Sequence, residues 1–104
     1  MYKDDETLWS DNLSRNPNSW TAYNNRGLVY FKEGLYDQAI SDFNKALEIN
    51  PGFTEAYFNK AVACERVGRI REAVEAYKGF IQYAPPQYAL YIERVRQRIK
   101  ELEK

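Results

Sequence analysis

Apolar residues recur along the chain at three- and four-residue spacing, and glycine or proline interrupts each run. Gly34 and Gly68 divide neighbouring runs at tight turns, whereas Pro17, Pro51 and Pro85 follow the ends of longer ones. The residue before a proline is pushed out of the α region, so each proline predicts a helix end. The pattern predicts six helices, over residues 3–15, 18–33, 36–49, 54–67, 70–83 and 87–103.

Much of this pattern returns after 34 residues. The residues that coincide are Tyr23 with Tyr57, Asn25 with Asn59, Gly34 with Gly68, Ala39 with Ala73, Phe43 with Tyr77 and Pro51 with Pro85. A fixed period of this length indicates a repeat architecture. The 104 residues therefore predict one domain: the second helix of a partial repeat (1–17), two full repeats (18–51 and 52–85) and a capping helix (86–104).

Composition removes several classes of function. Fifteen basic and fifteen acidic residues cancel, which argues against broad electrostatic binding to nucleic acid or to an anionic membrane. No apolar run approaches the about 20 residues of a membrane span, so we expect no direct membrane insertion. Histidine, the commonest general base and metal ligand, is missing, and the single cysteine, Cys64, falls at an expected core position. We expect no catalytic residues, no metal and no cofactor.

The repeated residues resemble the tetratricopeptide repeat (TPR) family, which is built of 34-residue helix-turn-helix units. The first unit matches the family pattern in order, and the second matches it with Cys64 in place of an aromatic and Phe80 in place of a small residue. The resemblance implies an all-α fold, a short right-handed TPR superhelix. The matching residues are Tyr23, Gly27, Tyr30, Gly34, Ala39, Phe43, Ala46 and Pro51, then Tyr57, Ala61, Gly68, Ala73, Tyr77 and Pro85.

The same resemblance implies a non-catalytic protein-interaction module, because the first helix of each TPR unit lines a concave groove that binds a peptide or a partner helix. The positions that face this groove in the family are occupied here by Asn24, Asn25, Leu28, Lys32, Glu55, Phe58, Asn59, Val62 and Arg66. The partner is expected to be a protein or peptide, and its identity stays open.

Two features of these positions suggest how binding would work. Asn25 and Asn59 share one register, and an amide can both donate to and accept from an extended peptide backbone. Similar asparagine ladders occur in the TPR region of O-linked glycosyltransferases. An apolar strip is added by Leu28, Phe58, Val62 and Ile92, and an exposed strip of this kind indicates a contact site. The alternative, that Leu28 and Val62 simply pack between helices, stays open.

Chaperone-binding TPR domains carry a clamp of lysines, arginines and asparagines on this face. Here Asn24 and Leu28 stand where lysine and asparagine are usual, and Ala89 and Glu93 stand where a basic pair is usual. Only Asn59 matches. These departures argue against binding of chaperone C-terminal peptides.

The N-terminal segment supports an alternative function. Leu8, Trp9 and Leu13 should pack on a first helix that the chain lacks, so two such ends could pair and give a structural, self-assembling homo-oligomer. Residues 7–25 also resemble the start of TPR arrays that follow the membrane region of bacterial O-glycosyltransferase-like proteins. That resemblance would place the domain outside the cytoplasm, as a segment of a longer protein; otherwise a cytoplasmic location is expected.

Overall fold

A computed structural model describes residues 18–104, and this part of the chain is helical throughout, with no strand. Each helix packs against the one before it in sequence. Five α-helices follow one another: α1 (Trp20–Lys32), α2 (Tyr36–Ile49), α3 (Thr54–Arg66), α4 (Ile70–Tyr83) and α5 (Ala89–Leu102). The prediction of an all-α helical repeat is confirmed. The predicted first helix, 3–15, lies outside the described residues.

The two turns between helices of a unit are copies of each other. Gly34 and Gly68 have φ angles of +79° and +80°, a left-handed conformation that L side chains rarely adopt. The residue after each glycine donates its backbone N–H back into the preceding helix, over 2.9 Å from Leu35 to the Tyr30 carbonyl and over 2.8 Å from Arg69 to the Cys64 carbonyl. This bond satisfies a helix-terminal carbonyl and reverses the chain, so α1–α2 and α3–α4 form equivalent hairpins.

Small residues let the helices approach closely. A Cβ at Gly27 in α1 would stand 2.6 Å from Cε1 of Phe43 in α2, and a Cβ at Gly79 in α4 would stand 2.5 Å from the Tyr57 ring in α3. The fully buried Ala39 and Ala46 complete the α2 face around Phe43. Each large side chain therefore fills the space that a small one leaves on its neighbour.

Two helices, α2 and α4, begin and end at the predicted residues, whereas α1, α3 and α5 differ from the prediction by one or two residues at an end. Ser19 caps α1, because its hydroxyl accepts the Ala22 N–H at 3.1 Å. A single 3₁₀ turn at Pro86–Tyr88 precedes α5, which starts at Ala89, two residues later than predicted. The backbone N–H of Tyr88 donates to the Pro85 carbonyl at 3.0 Å, and this bond closes the turn.

A buried ion pair joins α1 to α2. Nε and Nη2 of Arg26 each donate to one carboxylate oxygen of Asp42 over 2.8 Å, a two-point contact that fixes both side chains. Only 6% of the Asp42 side chain is exposed. The 34-residue pattern gave no sign of this pair, because Lys60 and Ala76 occupy the equivalent positions of the second unit.

Candidate peptide-binding groove

A groove of about 270 Å³ opens on the face where α1, α3 and α5 lie side by side. Its walls are mostly apolar and aromatic, with an amide and a carboxylate at the edge. Four of the predicted contact residues line it: Leu28, Glu55, Phe58 and Asn59. The other lining residues, Thr54, Phe80, Tyr88 and Tyr91, were not predicted as site residues.

Asn24 does not face the groove as an exposed contact. It is 3% exposed, and its Oδ1 accepts a hydrogen bond from Nδ2 of Asn59 at 3.0 Å. Because this bond crosses from α1 to α3, it holds the Asn59 amide at the groove edge. Asn24, which was predicted as a ligand contact, therefore lies beneath Asn59 and holds its side chain.

Asn25 and Asn59 occupy the same register on neighbouring helices, but the structure does not bring them together as a pair. The partner of Asn59 is Asn24, and the half-buried Asn25 is not among the residues that line the groove. One residue of rotation along α1, about 100°, separates Asn25 from Asn24. Of the two amides, only Asn59 lines the groove, and its side chain is held by the hydrogen bond to Asn24.

The apolar residues of the groove also serve the core. The Phe58 ring lies 5.6 Å from the Phe80 ring and 6.0 Å from the Tyr77 ring, centroid to centroid. Leu28 packs partly on the core that includes Phe43 and Cys64. Val62 is half-buried and does not line the groove. Leu28 and Phe58 consequently form the floor, fixed by packing before any ligand arrives.

The predicted cationic contacts lie away from the groove centre. Lys32 and Arg66 are exposed at the C-terminal ends of α1 and α3. The Arg66 guanidinium stands 5.4 Å from the centroid of the Phe31 ring, a cation–π contact, and Nη1 lies 3.5 Å from the Tyr36 hydroxyl. These two side chains could reach only the end of a ligand that extends past the helices.

A polar cluster ties α3, α4 and α5 together at one end of the groove. Nε of Arg98 donates to Glu65 Oε1 at 3.0 Å, and the Tyr77 hydroxyl donates to Glu65 Oε2 at 2.5 Å. The Arg98 guanidinium, with help from Tyr77, holds the pKa of Glu65 below its usual range. Burial and the Glu65 carboxylate raise the pKa of Tyr77. Glu65 is therefore ionised near neutral pH, and Tyr77 stays a donor.

Within residues 18–104, neither the single cysteine nor the acidic side chains are placed as a reactive or metal-binding group. Cys64 is fully buried, and burial raises the pKa of its thiol, so the reactive thiolate is disfavoured. Among residues 18–104, no group of three or more acidic or sulfur side chains is placed to hold a metal ion. No helix in the same range has the length and apolar character needed to cross a bilayer.

Leu8, Trp9 and Leu13, the residues predicted for self-association, lie outside the described part of the chain.

Antiparallel helical hairpins of equal length, stacked so that their first helices line a groove, define a helical-repeat protein of the α-solenoid class. Two sequence models described as "Tetratricopeptide repeat" match residues 20–53 and 43–75, which together span more than half of the chain. The chain belongs to the tetratricopeptide repeat family.

Relatives in this family are distant and mostly much longer. Human tetratricopeptide repeat protein 28 is 31% identical over 93 residues, which cover 89% of this chain but 4% of that protein. Hsp70-Hsp90 organizing protein 3 of Arabidopsis thaliana is 28% identical over 96 residues, or 92% of this chain and 17% of that protein. The chain thus spans a small part of the relatives that it resembles in sequence.

A solved structure reproduces the fold closely. The TPR2B domain of yeast Sti1, in a complex with pHsp70, superimposes with a TM-score of 0.83 and 26% sequence identity. The alignment covers 92% of this chain and 80% of that chain.

Proposed function

We propose that this chain is a non-catalytic protein-interaction module that binds a peptide or a partner helix in the groove between α1, α3 and α5. The observation that carries the proposal is the open groove of about 270 Å³ itself, whose floor is apolar and whose edge carries a braced amide. Apolar concave surfaces with a few placed polar groups are typical of ligand sites.

The proposed grip has two parts. Leu28 and Phe58 supply an apolar floor that packing has already fixed, so little side-chain entropy is lost when a ligand covers it. Asn59 supplies hydrogen bonds to the ligand backbone: the bond to Asn24 uses one N–H of the Asn59 amide and leaves its other N–H and its Oδ1. Asn25 would contact the ligand beyond the groove edge, because its half-buried side-chain amide makes no hydrogen bond within residues 18–104.

The comparisons support an interaction module and leave the partner open. The Sti1 domain of the same fold is seen with pHsp70. In this chain, Asn24, at the position where the chaperone-binding pattern of the family implies a lysine, lies buried under Asn59. Binding of chaperone C-terminal peptides through that family clamp is therefore not part of the proposal.

The proposal is tested with peptides that are selected for binding to this chain. Selection of a random 12-residue display library on the full chain supplies a ligand, and its dissociation constant is measured for Asn25→Ala and Phe58→Ala. One lost hydrogen bond, about 0.5–1.5 kcal/mol, predicts a two- to tenfold weaker complex for Asn25→Ala. Phe58→Ala, which removes part of the floor, should weaken binding more.

Asn44→Ala is the matched control, since Asn44 is also a half-buried asparagine but lies on α2, outside the groove. Its affinity should equal that of the unmodified chain. Undiminished binding by both Asn25→Ala and Phe58→Ala, with helicity retained, would overturn the proposal.

A further inference from the structure

The groove continues into a second, smaller cavity between α3 and α5. The continuation holds about 220 Å³ and shares Phe58 and Tyr91 with the main groove. Tyr77 and Val95 are also part of its lining, and Arg94 and Arg98 stand along its α5 wall. An aromatic recess therefore leads directly to two guanidinium groups.

The two arginines differ in what they contact. Arg98 is already paired, with Glu65 on α3 and with Glu101 on its own helix at 3.5 Å. Arg94 is exposed, and within residues 18–104 it makes no ion pair or hydrogen bond. The cavity thus presents one cation whose charge no acid of the described chain balances. A planar guanidinium is well suited to bind a carboxylate through two parallel hydrogen bonds.

Apolar surface remains uncovered next to this cation. Tyr91 is 52% exposed and Leu90 is 78% exposed. Tyr91 stands in the 34-residue register of Tyr23 and Tyr57. Tyr57 stacks on the Tyr83 ring at 5.6 Å and fills the space over Gly79, so the second helix of its unit covers it. No second helix covers Tyr91 in this way within residues 18–104. Its ring meets the Tyr88 ring edge-on, with centroids 6.0 Å apart, and its exposed half can contact a ligand beside Phe58.

The geometry points to a specificity subsite for an acidic-apolar peptide segment of another protein. An aliphatic or aromatic side chain enters between Phe58 and Tyr91, and a neighbouring Asp, Glu or terminal carboxylate pairs with Arg94. This inference rests on the proposed function and adds the chemistry of the ligand. It uses residues that lie outside the chaperone clamp positions of the family.

The test compares the peptide sequences that two forms of the chain select from a library. The random 12-residue library is selected in parallel on the unmodified chain and on Arg94→Glu. The unmodified chain should enrich peptides that carry an acidic residue within two positions of a large apolar one. Arg94→Glu should lose this acidic preference and bind the enriched peptides about three- to tenfold more weakly at low salt, as expected for loss and reversal of one exposed ion pair.

Arg71→Glu is the control, because it makes the same charge change at an exposed position of α4 that lies outside both cavities. It should select the same sequences as the unmodified chain. Circular dichroism confirms that each variant is folded.

Four results would overturn the inference. The first is a lack of acidic preference among the peptides enriched on the unmodified chain, and the second is selection of the same sequences by Arg94→Glu and the unmodified chain. In both cases the proposed function still stands if Phe58→Ala and Asn25→Ala weaken binding. The third is a dimer of the peptide-free chain, seen in sedimentation and abolished by Arg94→Glu, which would assign this face to a second copy. The fourth, a library that yields no enriched sequence, contradicts the inference and the proposed function together.

Discussion

At Gly27, the absence of a side chain is what allows α1 to lie against α2. Phe43 occupies the space above Gly27 and is fully buried, so its ring has no room to move away from an added side chain. The same relation recurs at Gly79 and Tyr57, with the small residue now on the second helix of the unit. At the level of single residues, the fold therefore depends on a few positions where a small side chain leaves space for a large one on the neighbouring helix. The groove side chains are held in place by this packing.

Gly27→Ala tests this packing. Alanine is a better helix former by about 1 kcal/mol, but its Cβ would overlap the Phe43 ring, and overpacking costs about 1–3 kcal/mol. We expect a net loss of about 1 kcal/mol in the free energy of unfolding, measured by urea denaturation. Gly52→Ala is the control, because a Cβ there meets nothing closer than 3.9 Å. A stabilised Gly27→Ala chain would show that the helices can move apart freely.

The Asn24–Asn59 bond makes a separate prediction. Asn59→Ala leaves the buried Asn24 oxygen without its donor, and such a group costs about 1–3 kcal/mol of stability. Urea unfolding of both single variants and the double variant should give a coupling energy of about 1 kcal/mol. Independent, additive effects would mean that the two amides do not hold each other.

The sequence predicted the residues of the framework better than those of the site. Gly27, Phe43 and Gly34 follow the family pattern, because packing volume and turn geometry allow few alternatives at those positions. The choice between Asn24 and Asn25 as the partner of Asn59 depends on how far α1 is rotated against α3. That rotation is set by the whole helix interface, so no local pattern reveals it.

At the level of elements, the capping helix is attached by a mixture of apolar and polar contacts. Val95 and Ile99 pack into the core formed with Phe80 and Val74. Arg98 and Glu65 then link the far end of α5 to α3. The spacing of apolar residues predicted the capping helix, but it did not predict the cross-helix pair, because each partner, taken alone, is an ordinary surface charge.

Glu65 makes the attachment of α5 sensitive to acid. Its pKa is lower in the folded chain than the about 4.3 of an unfolded glutamate, mainly because it accepts hydrogen bonds from Arg98. The unfolded state therefore binds the proton more readily, and this contribution to stability is present above about pH 4.3 and is lost as the pH falls through the lowered folded value.

We expect Glu65→Gln to destabilise the chain near neutral pH and to match the unmodified chain in strongly acidic solution. Urea midpoints of both proteins, measured between neutral pH and about pH 2, check this expectation. A difference that stays constant over the whole range would exclude the ionised Glu65 as its source.

At the level of the whole molecule, the two hairpins and the cap place α1, α3 and α5 on one face, and the groove exists only because all three are present. The sequence did not predict that Tyr88 and Tyr91 line the groove, because it identified α5 only as a capping helix. The 34-residue register did place Tyr91 at the position of Tyr57. Its exposure became apparent only when the structure showed that no described helix covers it.

The proposed function requires that the face formed by α1, α3 and α5 is the binding surface. The most direct measurement is a nuclear magnetic resonance titration of the ¹⁵N-labelled chain with a peptide selected from the library. We expect the largest chemical-shift changes at the side-chain amide of Asn59 and at the backbone amides of Glu55, Phe58 and Tyr91. Shifts confined to Ser41, Lys45 and Glu75, which lie on α2 and α4 outside the groove, would contradict it.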